Sequence, residues 1–198
     1  LREALGRLCR RSDGTPVPLR TVSAGTRTGL VLQVDDPAQL GADIVTGAAA
    51  AVWLYGTPVA VLDFGTATVL SCVDANRTLL GVSIAPGMQT SLDGLRGAAA
   101  LIPHVERRAP ESVLGRNTAD SVRAGVVYGT AAMADGLVER TLREAHLPPD
   151  TPEVATGGLA GLIPPFCRRR MHREDALTLY GLYRVFALTA RREALRKK

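Results

Sequence analysis

The residues with the clearest chemical potential are small and acidic ones gathered at expected chain reversals. Asp63-Phe64-Gly65-Thr66-Ala67-Thr68 follows the apolar run Val59-Ala60-Val61-Leu62 and leads into Val69-Leu70-Ser71-Cys72-Val73. A carboxylate at a strand end can hold a cation. Gly65 lets a ligand approach the backbone with no Cβ in the way, and Thr66 and Thr68 offer hydroxyl and N–H donors. The combination suits a phosphate chain with its counter-cations, and it equally suits a tight hairpin whose Asp and Thr satisfy turn backbone. Thr156-Gly157-Gly158 follows the short apolar piece Glu153-Val154-Ala155 and is expected to open a helix. Its glycines leave room for a flat ring or a phosphate at a helix N-terminus; an ordinary strand-to-helix turn has the same sequence.

Gly41-Ala42-Asp43 begins or interrupts a mostly apolar helix expected over residues 37–55. Asp43 has no cationic neighbour in sequence, since Ile44 and Val45 follow it. In apolar surroundings its pKa would rise and it could act as a general base or hydrogen-bond acceptor. At a helix N-terminus it would simply face the positive end of the dipole. Both readings are open. Gly115-Arg116-Asn117-Thr118 precedes the longest helical candidate, residues 118–146. Orphan N–H groups there favour an anion such as a substrate carboxylate, while capping by Asn117 or Thr118 needs no ligand at all.

The elements that must position these groups follow from periodicity. Residues 59–62 form a continuous apolar run, as in a strand buried on both faces. Further strands are predicted at 68–73, 79–84 and 153–155, with strand-like pieces near 19–22 and 29–34. Helices are predicted over residues 1–11, 37–55, 89–101, 118–146 and 177–195. In the 118–146 helix Val122, Val126, Met133 and Leu137 share a face. Gly125, Gly129 and Gly136 there imply close packing against another element. Periodicity alone specifies an α/β chain with a mixed sheet.

Composition narrows the function classes. The chain has 198 residues, 24 Lys plus Arg against 19 Asp plus Glu, and a formal charge of +5. The basic residues are scattered apart from Arg168-Arg169-Arg170 and the tail from Arg191 to Lys198. With 3 Phe, 4 Tyr and 1 Trp there is no platform for stacking bases, and no nucleic-acid partner is expected. Cys9, Cys72 and Cys167 form no C-x-x-C pair, so neither a zinc site nor a disulfide framework is indicated. Apolar stretches are interrupted within about ten residues, too short to cross a bilayer, and no signal-peptide pattern opens the chain. A reducing cytoplasm is the expected location. Leu1 is not an initiator Met, which is consistent with a fragment or a processed product.

Taken in order, these strings resemble the type III pantothenate kinases. The resemblance runs from about Asp36 to Leu182, through Asp36-Pro37, Gly41-Ala42-Asp43, Tyr55-Gly56-Thr57-Pro58, the string from Asp63 to Thr68, and Ile84-Ala85-Pro86-Gly87. It continues through Gly115-Arg116-Asn117-Thr118, Ala155-Thr156-Gly157-Gly158 and Leu177-Thr178-Leu179-Tyr180-Gly181-Leu182. It implies the actin, hexokinase and acetate kinase superfamily, with two ribonuclease H-like halves enclosing ATP. On that basis residues 1–57 are a remnant of the first half and residues 58–198 are the second, ribonuclease H-like half with a mixed sheet. The resemblance further implies phosphorylation of pantothenate to 4′-phosphopantothenate. It gives Asp43 as proton acceptor, Gly41, Ala42, Asp43, Ile44 and Thr118 on the pantothenate side, and Gly65, Thr66, Thr156, Gly157 and Gly158 on the ATP side. Asp63 matches the ligand of a monovalent cation, potassium or ammonium. A divalent metal such as magnesium and a homodimer with the pantothenate site at its interface are implied as well. Ile44 stands where the family usually has Arg, and Val34 where it has an aromatic. The family's opening D-x-G-N-T phosphate loop has no counterpart, so the chain alone is expected to transfer no phosphate. A non-catalytic accessory relative and a kinase of another small alcohol are the alternative readings.

Overall fold

Alternation along the strands decides how the chain folds. In the computed structural model, which describes residues 2–17, 19–23 and 25–196, β2 (Val59–Phe64) sends Ala60, Leu62 and Phe64 to one side and Val59 and Val61 to the other. β5 (Glu153–Thr156) does the same with Ala155 and Val154. Both faces are apolar, so helices must cover both. The described residues leave out Leu1 of the predicted first helix and Lys197 and Lys198 of the basic tail.

The sheet has six strands in the order β1-β4-β3-β2-β5-β6, with β1 at Val31–Leu32, β3 at Ala67–Val73, β4 at Thr78–Pro86 and β6 at His172–Arg173. β2, β3 and β4 form an antiparallel meander, and β5 lies parallel to β2. β1 and β6 add in parallel at the two edges. α3 (Met88–Ala98) and α4 (Thr118–Glu144) cover the face of Leu62 and Phe64. α2 (Ala42–Tyr55) and α5 (Leu177–Arg196) cover the face of Val61. A short α1 (Arg2–Leu8) precedes them.

Several expectations change in detail. The piece at 19–22 is not a strand, and α2 begins at Ala42 because residues 36–39 close a turn in which Gln39 N–H donates to the Asp36 carbonyl at 3.1 Å. Of the predicted stripe on α4, Val126 is buried and Val122 and Leu137 pack against the core, while Met133 is half-buried; Val127, Ala131, Ala134, Val138 and Leu142 widen the buried face. Gly125, Gly129 and Gly136 are not close-packing points, since a Cβ on any of them would meet nothing within 4 Å. No α-helix follows β5. Successive three-residue turns replace it, with Ala160 N–H donating to Gly157 at 3.0 Å and Leu162 N–H to Leu159 at 2.9 Å. Gly157 at φ +92° and the missing N–H groups of Pro164 and Pro165 account for this.

The tight seam lies between α2 and α5. A Cβ on Gly181 would fall on the Thr46 carbonyl oxygen and 2.5 Å from its carbon, and Ala48, Ala50 and Ala51 keep α2 slim. Below α4, Asp135 is buried and accepts from the Arg168 and Arg169 N–H groups at 2.8 and 3.3 Å, and Glu153 pairs with Arg169. The triple-arginine string is thus partly a structural clamp. Burial pushes the thiols of Cys72 and Cys167 up to about 11 and about 12, away from the thiolate form.

Two alanine substitutions should therefore diverge in sign. Gly181→Ala is expected to cost about 1–3 kcal/mol by forcing α5 off α2, whereas Gly136→Ala in open space is expected to gain about 0.5–1 kcal/mol. Urea denaturation of the two variants checks both.

Candidate functional site

Because β2, β4 and β5 run in the same direction, their C-terminal ends meet at one edge of the sheet. Ligands of open α/β sheets bind outside such ends. Asp63 is paired with Val69 on β3 and with Thr156 on β5, and it shares parity with Val61, so it points to the α2 side. There Asp43, Ile44, Gly47, Asp63, Ser71 and Thr156 are among the residues lining a cavity of about 20 Å³. That is room for about one water or a bare ion.

Asp43 occupies the first turn of α2 and its Oδ1 accepts the Ile44 N–H at 2.9 Å. The side chain is exposed at the cavity mouth, so the dipole position and an open carboxylate coexist. Asp63 is half-buried, and its carboxyl is held above the usual carboxylate range, first by burial and then by the charge of Asp43. No Lys or Arg pairs with it among the described residues. A half-buried carboxylate facing a second one, with nothing positive beside it, is a donor set that fits a cation. No cluster of three metal-binding side chains occurs among the described residues.

The turn after β2 is assembled from backbone. Gly87 N–H donates to the Thr66 carbonyl at 3.1 Å and the Thr90 hydroxyl donates to it at 2.7 Å, leaving the Thr66 side chain exposed at the tip. Leu159 N–H donates to the Phe64 carbonyl at 3.0 Å, tying the loop after β5 to the same turn. Two glycines are obligatory here. A Cβ on Gly157 would fall on Asp63 Oδ1 and 2.8 Å from the Phe64 carbonyl carbon, and one on Gly87 would fall on the Gly65 carbonyl oxygen. Gly158 is exposed beside them. The Thr156 hydroxyl donates to the Glu174 carbonyl at 2.7 Å, so its own hydrogen is already committed.

Thus Asp43, Ile44, Asp63 and Thr156 share one cavity, with Gly65, Thr66, Gly157 and Gly158 at the adjoining turn and loop. Gly41 and Ala42 sit at the start of α2. Thr118 does not line that cavity. It is exposed at the first position of α4, where Asn117 caps by accepting the Asp120 N–H at 2.9 Å and Asp120 pairs with Arg123. Gly115, Arg116 and Asp120 line a groove of about 710 Å³ beside it. Sequence reasoning missed Ser71, Thr178 and Gly87. Ser71 was accessible from parity with Val69, while Thr178 and the need for glycine at 87 depend on tertiary approach.

An antiparallel meander continued by parallel strands, with helices on both faces, is the ribonuclease H-like arrangement. A solved structure described as a putative Baf family transcriptional activator from Campylobacter jejuni is similar, with a TM-score of 0.57 at 16% identity, covering 83% of this chain and 71% of that one. The sequence model of the type III pantothenate kinases matches residues 2–140. Type III pantothenate kinases of Frankia casuarinae and Shouchella clausii are 41% identical over 170 residues and 42% over 165, covering 86% and 83% of this chain. The chain belongs to the type III pantothenate kinase family. It spans about two thirds of those relatives, 67% and 64% of their lengths.

The raised carboxyl gives a test of sign. The unfolded chain releases the Asp63 proton at lower pH than the folded chain, so this group weakens the fold as pH climbs from the unfolded value through the folded one, and by a constant amount above. Asp63→Asn is expected to raise the urea midpoint at neutral pH, with the gain vanishing below about pH 4, where both states hold the proton. Asp43→Asn should lower the Asp63 titration midpoint followed by carboxyl NMR.

Proposed function

We propose that this chain supplies the acceptor-activating and nucleotide-facing surfaces of an ATP-dependent pantothenate kinase, which forms 4′-phosphopantothenate in the first step of coenzyme A synthesis. The observation that carries the reading is the placement of Asp43 and Asp63 on one cavity at the strand ends, beside the turn at Gly65-Thr66 and the loop at Gly157-Gly158. In this reading residues 1–57 are the remnant of one ribonuclease H-like half and residues 58–198 form the other.

The chemistry follows from position. Asp43 is open to solvent at the cavity mouth and can accept the proton of an incoming hydroxyl. Alignment of that hydroxyl with the γ-phosphate supplies most of the acceleration, because phosphoryl transfer asks for positioning and charge stabilisation. Thr66, exposed at the tip of the turn, and Gly65 would face the phosphate chain. Gly157 lets the loop close on Asp63, and the exposed Gly158 beside it leaves a surface free of side chains for adenosine. Asp63 would hold the monovalent cation, potassium or ammonium, and a magnesium ion would neutralise phosphate charge. Gly41, Ala42 and Ile44 border the acceptor side. Ile44 brings no positive charge, so the substrate carboxylate must find its partner elsewhere. Thr118 lies outside the cavity, and a homodimer is the arrangement by which it would reach a pantothenate site. A cytoplasmic location belongs to the same proposal.

In a protein carrying the full length of its relatives, pantothenate-dependent release of ADP is the expected activity, read by a coupled assay and by the mass of the product. Asp43→Asn should lower kcat by about 10²-fold or more while leaving the nucleotide KM nearly unchanged. Full turnover in that variant, or ADP release indifferent to pantothenate, would remove the reading.

A further inference from the structure

The turns after β5 repeat every three residues, with Ala160 N–H donating to the Gly157 carbonyl and Leu162 N–H to that of Leu159. At that spacing residues i and i+3 lie one above the other. Ala160 and Ile163 accordingly both face the core, while Gly158 and Gly161 share the outer side and are both exposed. β6 runs parallel to β5 with Arg173 in register with Ala155, so Arg173 stands at the strand ends on the α4 side of the sheet. Its guanidinium is held by Asp175, which accepts from Nε at 2.7 Å and from Nη2 at 2.9 Å. This two-pronged grip fixes the plane of the fork. The remaining nitrogen, Nη1, lies over Gly161: a Cβ there would stand 2.8 Å from it and 3.1 Å from the guanidinium carbon. Among the described residues no acceptor takes the Nη1 hydrogens. Arg173 and Asp175 are both exposed, and an exposed ion pair adds little to stability, so folding alone gives small reason to hold a fork over a bare turn.

We propose that Arg173, oriented by Asp175, is a base-binding residue: a purine ring lies on the outer side of Gly158 against the guanidinium, and Nη1 donates to an acceptor nitrogen of that ring. The inference deepens the kinase reading and rests on it for the identity of the ligand as the nucleoside of ATP. Position selects the base over the phosphate chain. Gly157 is the residue that closes on Asp63, and Gly158 and Gly161 follow it, progressively further along the loop from the acidic cavity. Charge selects it as well. Asp175 already answers the positive charge of the fork and would repel a phosphate, whereas a neutral ring with acceptor nitrogens suits a planar cation that has one nitrogen left open. Space agrees, since a Cβ on Gly158 would meet nothing within 4 Å.

The test titrates the chain itself, labelled with nitrogen-15, with adenosine and separately with tripolyphosphate. Adenosine is expected to shift the amides of Gly158 and Gly161 and the Nε–H of Arg173 along one binding curve. Arg173→Met should weaken that binding about tenfold, the scale of a hydrogen bond from a charged donor. Gly161→Ala should weaken it as much with an unchanged urea midpoint. Gly161 does not adopt a positive φ, and its new methyl would push aside only the end of a flexible side chain. Arg173→Lys keeps the charge and loses the plane, so it should bind no better than Arg173→Met. Absence of an adenosine-dependent shift at these groups, full affinity in Gly161→Ala, or rescue by lysine would each overturn the proposal. A response of Arg173 to tripolyphosphate with none to adenosine would assign it to the phosphate chain and overturn the proposal too. Adenosine binding at Arg173 in a protein whose ADP release ignores pantothenate would remove the kinase reading and leave this inference standing.

Discussion

Two carboxylates line one space no larger than a water molecule, and no salt bridge to Asp63 occurs among the described residues. Everything around the edge of the sheet keeps that conflict in place. Strand parity turns Asp63 toward α2, the first turn of α2 presents Asp43, and the glycine at 157 lets the loop after β5 close against Asp63 without a side chain between. A fold optimised only for stability would relieve the repulsion with an arginine or exchange one carboxylate for an amide. Retaining both is the pattern expected where stability is given up for chemistry.

A second acidic group in the molecule shows the contrast. Asp135 and Glu153 are more deeply buried, yet they are answered by Arg168 and Arg169 and by two backbone N–H groups. Burial still pushes the Glu153 carboxyl up, against the downward pull of Arg169, and its Oε2 has no hydrogen-bond partner among the described residues. Here the charges are matched and serve to pin the loop after the 3-10 turn Pro164–Phe166 onto α4 and β5. Carboxylates therefore play different parts, separated by whether a guanidinium stands beside them.

Most of the architecture was legible because its signals are local. The apolar run at 59–62 and the cap at Asn117 each act within a few residues, and β2, β3, β4 and α4 appear where the pattern places them. The helix expected after Gly158 failed because a backbone bond from Leu159 to Phe64 and the prolines at 164 and 165 favour separate turns. Packing at Gly125, Gly129 and Gly136 failed because glycine in a helix is silent about whether its neighbours are near or far. Of the site, residue types and order were readable from the strings that resemble the family. The meeting of Asp43 with Asp63 was not, since it depends on how a helix some twenty residues away in sequence lies across the sheet.

The seam at Gly181 has a mechanical consequence. With the carbonyl of Thr46 seated directly on the α5 backbone, no flexible side chain cushions the junction between the two helices. Movement of α5 would therefore pass to α2 through backbone contact, and α2 bears the carboxylate at 43 in its first turn.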